Sequence, residues 1–172
     1  MFSINNNNKQ NLSSSQQIRA FALVLFVIYL CLLFYVTLFA WNYGASLGAE
    51  GPGGRNYNLI PFRSIYRITV FSKDIMDPIT ILVGNIVLFM PFGFLLLFAM
   101  KQLKKVIIKV TITGCIISIF IESSQFMFTY RVANIDDVIL NTFGALVGVL
   151  LFVFLRLIKR RVIIFYKKEA GT

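Results

Sequence analysis

Four long apolar runs divide the 172-residue chain and constrain its fold more than any other feature. A helix needs about 20 apolar residues to cross a hydrocarbon core of about 30 Å. The chain is 58% hydrophobic and only 14% charged, which is too apolar for an ordinary soluble domain. We therefore predict an all-α integral membrane protein with four transmembrane helices, at about Ala20–Trp41, Ile81–Met100, Val106–Phe128 and Val138–Ile158.

The distribution of Lys and Arg predicts the orientation of these helices. Twelve of the 17 basic residues lie in the two terminal segments and the connection between the second and third runs, or within a turn of them inside the adjoining run. The positive-inside rule therefore places both termini in the cytoplasm. We predict a multi-pass protein of the bacterial cytoplasmic membrane. We predict a membrane domain over residues 20–158, a polar cytoplasmic tail over 1–19 that is mobile, and a basic cytoplasmic tail over 159–172.

Several chemistries are disfavoured by what the chain lacks. It contains no His and only two Cys, Cys31 and Cys115, each alone within an apolar run. This excludes Ser-His-Asp, Cys-His and His-zinc sites, and we predict no cofactor and no bound metal. The basic residues are scattered between apolar runs, so a nucleic-acid partner is not expected.

The connection after the first run predicts a segment at the membrane surface. The sequence GPGG at residues 51–54 favours a flexible loop, and Pro61 interrupts the apolar stretch that follows. Arg63 and Arg67 are four residues apart, so a helix here would carry both on one face. Because this stretch is too short and too charged to span, we predict an interfacial or re-entrant segment.

Polar residues within the third and fourth runs are the most unusual feature. Glu122 lies about 9 Å below the outer end of the third helix, at 1.5 Å per residue, on one face with Ser118 and Gln125. A charge left to lipid at depth costs about 2.5 kcal/mol or more, so this face should point into the bundle. Asp136 and Asp137 begin the fourth helix, where carboxylates cap free N–H groups.

Small residues and prolines indicate where helices pack or bend. Pro91 and Gly93 fall inside the second run and should kink or break that helix, leaving backbone groups for neighbouring helices to satisfy. Gly144 and Gly148 form a G-x-x-x-G pattern that favours close helix packing. We assign Pro61 a structural role together with these four residues.

Polar residues from separate segments are thus predicted to meet near the outer leaflet and to form a ligand-binding site. The predicted set is Asn58, Arg63, Arg67, Asn85, Glu122, Gln125, Arg131, Asp136, Asp137 and Asn141.

The order and spacing of four motifs resemble the VanZ-like family of small bacterial membrane proteins. The motifs are NLIPFRSI from residue 58, NIVLFMPFGFLL from residue 85, IESSQ from residue 121, and R-x4-DDVILNTFGALVG from residue 131. The resemblance covers about residues 56–150. It marks as characteristic Asn58, Pro61, Phe62, Asn85, Pro91, Gly93, Glu122, Gln125, Arg131, Asp136, Asp137 and Asn141. It implies lowered susceptibility to glycopeptide antibiotics, chiefly teicoplanin-type lipoglycopeptides, in Gram-positive bacteria.

Three interpretations of the polar set are compatible with the sequence. It could bind a lipid-linked cell-wall precursor, a lipid head group or a lipoglycopeptide, with the arginines pairing with phosphate or carboxylate. It could catalyse a reaction on a lipid-linked precursor, with Glu122 as base and Asp136 and Asp137 as acids or divalent-metal ligands. It could be structural, with Glu122 paired to Arg131 or Arg63. The expected partners are membrane lipids and these ligands, and a homo-oligomer is compatible with the chain.

Overall fold

The computed structural model describes residues 3–39, 57–99, 105–129 and 131–169, and the side chains of 16–39, 57–97, 105–129 and 131–160. Helix α1 (Ser3–Phe34) continues into a π-helical segment at Tyr35–Phe39. The order of the remaining elements is β1 (Tyr57–Asn58), α2 (Arg63–Phe71), α3 (Met76–Ala99), α4 (Val106–Phe128), β2 (Ala133–Asn134) and α5 (Ile135–Glu169).

The four predicted transmembrane helices are confirmed by length and composition. The segments long and apolar enough to span are Gln16–Phe39, Met76–Leu97, Val106–Phe128 and Ile135–Arg160. Their lipid-facing sides carry large exposed apolar side chains such as Phe21, Ile112 and Phe154. Such exposure is unfavourable in water but is expected where the solvent is hydrocarbon.

Helix α1 begins earlier than the sequence predicted. The polar segment before residue 19, expected to be mobile, is helical from Ser3 onwards. Residues 3–19 contain neither Gly nor Pro, so nothing in the backbone stops the apolar helix from extending towards the N-terminus.

The centre of the bundle is the contact between α3 and α5, and glycines set its closeness. A Cβ atom added at Gly144 would overlap the carbonyl of Ile86, and one at Gly148 would overlap the carbonyl of Met90. In return, a Cβ at Gly93 of α3 would overlap the carbonyl of Ala145. The G-x-x-x-G pattern therefore brings two helix backbones into direct contact, which is the packing role the sequence predicted.

Pro91 does not break α3, contrary to one of the two outcomes that the sequence allowed. The helix is continuous from Met76 to Ala99 with Pro91 inside it, although proline cannot donate to the carbonyl one turn earlier. The hydroxyl of Tyr29 on α1 donates to the carbonyl of Leu88 at 2.7 Å. The carbonyl that Pro91 leaves without its helical donor is that of Val87, and Tyr29 bonds the next carbonyl along the chain. A neighbouring helix therefore contacts the backbone directly beside the proline.

A short parallel pairing joins the two connections at one end of the bundle. Tyr57 pairs with Ala133 and Asn58 with Asn134. This end also holds α2, the start of α3, the last turns of α4 and the first turn of α5, and we call it the α2 end. The GPGG loop at residues 51–54 lies outside the described residues.

Helix α2 is amphipathic and has no fully buried residue. It packs against α3 and α5 with Ser64, Ile65 and Ile68 half-buried, whereas Arg63 and Arg67 are exposed. A short, partly polar helix such as α2 is compatible with a segment at the membrane surface. That it is interfacial or re-entrant stays a prediction.

Candidate functional site

Asp136 holds the start of α2 through backbone hydrogen bonds. Its carboxylate accepts from the N–H groups of Phe62 at 2.5 Å, Ser64 at 2.7 Å and Ile65 at 3.2 Å. The first N–H groups of a helix have no partner within the helix, and a carboxylate is the strongest acceptor for them. Asp136 is buried, with only 1% of its surface exposed. Because it belongs to α5, it is a helix cap that a different helix supplies to α2.

The turn that presents these N–H groups is strained. Arg63 N–H donates to the carbonyl of Ile60 at 3.3 Å, with Pro61 and Phe62 between them. Phe62 adopts φ 64° and ψ 0°, the left-handed conformation of the third residue of a type II turn, which usually requires Gly. Pro61 occupies the position that proline favours in this turn, which is its structural role. The hydrogen bonds to Asp136 offset the strain at Phe62.

The side chain of Asn134 connects three of the surrounding elements. Its side-chain oxygen accepts from the Asp136 N–H at 3.2 Å, which makes Asn134 the N-cap of α5. The same oxygen accepts from the Asn58 amide at 3.0 Å and the Ser64 hydroxyl at 3.2 Å. The Asn134 amide donates to Asp137 at 3.2 Å. One side chain therefore joins β1, α2 and the first turn of α5.

Glu122 connects Asn134 and its hydrogen-bond partners to α4. Its Oε2 accepts the backbone N–H of Asn134 at 2.7 Å, and the residue is only 7% exposed. The Arg131 guanidinium attracts both Glu122 and Asp137, while these two carboxylates repel each other. Within the described residues, no hydrogen bond reaches Glu122 Oε1. Glu122 is thus a half-satisfied carboxylate beside a basic group.

Gln125 and Arg131 converge on one carbonyl of the first helix. The carbonyl of Thr37 accepts from the Gln125 amide at 2.8 Å and from the Arg131 guanidinium at 2.6 Å. Thr37 lies in the π-helical segment, where wider winding takes carbonyls out of the regular helical pattern. These two donors therefore tie the end of α1 to α4 and to the connection that follows it.

Asn141 forms a deeper polar contact between α4 and α5. Its amide donates to the Ser118 hydroxyl at 2.9 Å, and both residues are buried. Its Oδ1 has no hydrogen-bond partner within the described part of the chain. The face shared by Ser118, Glu122 and Gln125 therefore points into the bundle, as the sequence predicted.

An open groove of about 590 Å³ lies beside the buried carboxylate. It runs between the last turns of α4, the first turns of α5 and the paired strands. Apolar side chains form most of its wall, and Glu122, Ser123 and Asn134 supply the polar part. The lining residues are Tyr57, Leu59, Ile119, Glu122, Ser123, Phe126, Met127, Ala133, Asn134, Ile135 and Val138.

The structure brings together most, though not all, of the predicted polar residues. Asn58, Glu122, Asp136 and Asp137 meet around Asn134, with Arg131 beside them, whereas Gln125 and Asn141 lie along the same buried face of α4. Asn85 instead donates to the carbonyl of Ile81 in its own helix at 2.9 Å. Arg63 and Arg67 are exposed on α2, so the packing of α2 turns them away from the carboxylates.

Three participants were absent from the predicted set: Ser64, Asn134 and Thr37. Asn134 carried a usable signal, because Asn just before an apolar helix with two early carboxylates is a typical N-cap. Ser64 and Thr37 carried none, since their roles depend on strand pairing and on a π-helical turn.

The geometry defines a class of protein: a multi-pass helical membrane protein with buried carboxylates and an open groove at one end of the bundle. The family model described as VanZ/LLP1 matches residues 26–156. A curated relative, Protein VanZ of Enterococcus faecium, is 30% identical over 128 residues, covering 74% of this chain and 71% of its own length. The chain belongs to the VanZ/LLP1 family, a family of resistance-associated membrane proteins. No solved structure matches it significantly.

Proposed function

We propose that this protein lowers the susceptibility of a Gram-positive cell to teicoplanin-type lipoglycopeptides by binding the drug or a lipid-linked envelope group. Binding takes place at the α2 end, which faces outward from the cytoplasmic membrane. The distribution of Lys and Arg supports this orientation, since 12 of the 17 lie in segments that meet the opposite side of the bundle. Membership of the VanZ/LLP1 family supports the link to resistance.

The observation that carries the binding proposal is the groove beside Glu122. Small-molecule sites are typically concave, mostly apolar and provided with a few polar groups that orient the ligand, and they span roughly 300–1,000 Å³. The groove has this volume and this composition. It also contains Glu122, whose second carboxylate oxygen accepts no hydrogen bond within the described residues.

The hydrogen bonds of Asp136 disfavour a catalytic role for this residue. Both of its carboxylate oxygens accept backbone N–H groups, and this leaves little capacity for proton transfer to a substrate. Of the three carboxylates, Glu122, Asp136 and Asp137, Glu122 alone lines the groove. We therefore assign Asp136 a positioning role and Glu122 a binding role.

Expression in a susceptible Gram-positive host tests the proposal. The minimum inhibitory concentration of a teicoplanin-type drug is measured for cells carrying the vector, the protein or the Asp136→Ala variant. The protein should raise that concentration several-fold, and Asp136→Ala should abolish the rise because α2 loses its anchor. Asp77→Asn, an exposed carboxylate change in the first turn of α3, serves as the matched control. Equal susceptibility of vector and protein cells would refute the proposal.

A further inference from the structure

Helix α2 carries two parallel rows of exposed side chains that the buried cluster does not use. Phe62, Tyr66 and Val70 follow one another at four-residue spacing, and each is more than half exposed. Arg63 and Arg67 form a second exposed row, one residue further along the chain. Because residues four apart lie on the same side of a helix, the apolar row and the basic row run side by side.

The inner face of α2 determines where these two rows point. Ser64, Ile65 and Ile68 are half-buried, and they form the side of α2 that packs against α3 and α5. Asp136 accepts the backbone N–H groups of Ser64 and Ile65, so the helix cannot roll about its axis without losing these bonds. Both exposed rows are therefore held on the side of α2 that faces away from the bundle.

The basic row has no partner within the described part of the protein. Among those residues, no hydrogen bond or ion pair reaches the guanidinium of Arg63 or of Arg67. The nearest carboxylates in the sequence, Asp74 and Asp77, accept hydrogen bonds within the turn that begins α3. The two arginines therefore present their positive charge to the surroundings of the protein.

The position of α2 in the chain identifies these surroundings as the surface of a bilayer. The helix ends five residues before the spanning segment Met76–Leu97. Leu59 and Ile75, on either side of α2, are also exposed apolar side chains. A basic row beside an apolar row is typical of a helix that lies in the plane of the membrane interface. In that position the apolar row contacts acyl chains, and the long arginine side chains reach the head groups.

We propose that Arg63 and Arg67 bind the phosphate groups of anionic phospholipids in the leaflet that surrounds the α2 end. A guanidinium pairs bidentately with phosphate oxygens. The net negative charge of the lipid adds to this attraction, by about fivefold in affinity for each basic residue, whereas a zwitterionic head group carries no net charge. This binding is separate from the proposed binding of the drug, because neither arginine lines the groove.

Quenching of a tryptophan on α2 by brominated lipids tests this inference. The reporter is Tyr66→Trp in the full-length chain, with the single native tryptophan removed by Trp41→Phe. The protein is reconstituted in vesicles of phosphatidylcholine and phosphatidylglycerol at equal mole fractions, with bromine on the acyl chains of one lipid or of the other. Ile116→Trp is the matched control, because Ile116 is 58% exposed on α4 and has no basic residue within four positions.

The expected result is a preference for the anionic lipid that depends on the two arginines. Tyr66→Trp should be quenched several-fold more by brominated phosphatidylglycerol than by brominated phosphatidylcholine. Addition of Arg63→Gln and Arg67→Gln should abolish the difference, and Ile116→Trp should show none. If the double variant does not accumulate, Arg67→Gln alone should reduce the difference.

Three results would overturn the inference. The first is equal quenching of Tyr66→Trp by both lipids while both arginines are present. The second is a preference that survives the loss of the arginines. The third is quenching by neither lipid, which would place α2 clear of the bilayer and its arginines against a soluble anion or an acidic partner. Each of these results would leave the proposed function standing, since that is measured by drug susceptibility.

Discussion

The carboxylate of Asp136 accepts the backbone N–H of Ser64 at 2.7 Å across 72 residues of sequence. This bond and its two companions attach α2 to the first turn of α5. The same turn carries Asp137, and its N-cap Asn134 is held by Glu122. The position of α2 and the position of the buried carboxylates are therefore set by one connected network.

Asp136→Ala should release α2 while leaving the four spans assembled. Three N–H groups lose a charged acceptor, which should destabilise the docking of α2 by at least about 2 kcal/mol. Modification of Ile65→Cys by a membrane-impermeant maleimide measures the release, in a background with Cys31 and Cys115 replaced by Ala. Labelling should accelerate in Asp136→Ala and recover partly in Asp136→Asn, whose amide oxygen still accepts. An unchanged labelling rate would show that α2 does not depend on this cap.

Glu122→Gln should separate binding from structure. The Gln oxygen can accept the Asn134 N–H, so the fold and membrane level should stay near those of the unaltered protein. Its amide NH₂ would then face the groove as a donor, against the donors of the ligand, and protection against the teicoplanin-type drug should be lost. Glu122→Ala should lose both protection and part of the membrane level, because the Asn134 N–H is left unpaired at a cost of about 1–3 kcal/mol. Full protection by Glu122→Gln would reduce Glu122 to a structural residue and would also exclude acid–base chemistry there.

Gly144→Leu and Gly148→Leu should each prevent the close approach of α5 to α3. The new side chains would overlap the carbonyls of Ile86 and Met90, which are backbone atoms and cannot turn aside. Overpacking of this kind costs about 1–3 kcal/mol or more, so the fraction of monodisperse protein after detergent extraction should fall sharply. Leu150→Ala, at an exposed position of α5, is the control and should behave as the unaltered protein does.

Arg131→Met should destabilise the α2 end far more than Arg67→Met. The first change removes a donor to the Thr37 carbonyl and the positive charge beside Glu122 and Asp137. Removing one partner of buried charges costs about 3–5 kcal/mol. Arg67 is exposed on α2, so its loss should change stability little. Thermal unfolding in detergent measures both, and equal midpoints for the two variants would contradict the arrangement described here.

The spans and their packing were predictable because they depend on local features of the sequence. Four apolar runs of sufficient length predict four helices wherever the solvent is hydrocarbon. The inward face of α4 followed from the helical spacing of Ser118, Glu122 and Gln125 and from the cost of a charge in lipid. The G-x-x-x-G contact followed from the size of Gly144 and Gly148.

The hydrogen-bond partners within the cluster were not predictable, because they depend on how separate segments meet. The two-residue pairing of Tyr57–Asn58 with Ala133–Asn134 carries no periodic signal, and it alone places Asn58 beside Asn134. Arg63 and Arg67 were expected to join the carboxylates because all are polar and near one end. The docking of Ser64 and Ile65 against α5 instead turns both arginines outward. The contact with Thr37 depends on a π-helical turn, and the sequence of that turn, YVTLF, does not predict it.

Whether the groove beside Glu122 binds the drug can be measured directly on the purified protein. The protein is reconstituted in lipid nanodiscs and exposed to a teicoplanin-type lipoglycopeptide that carries a photoreactive group near the end of its acyl chain. Binding in the groove beside Glu122 predicts saturable crosslinking to α4 between Ile119 and Met127, and competition by the unlabelled drug. Crosslinking should be lost in Ile119→Trp, which fills the groove, but not in Ile112→Trp, an exposed position of α4 outside it. Absence of saturable crosslinking, or the same crosslinking in both variants, would contradict it.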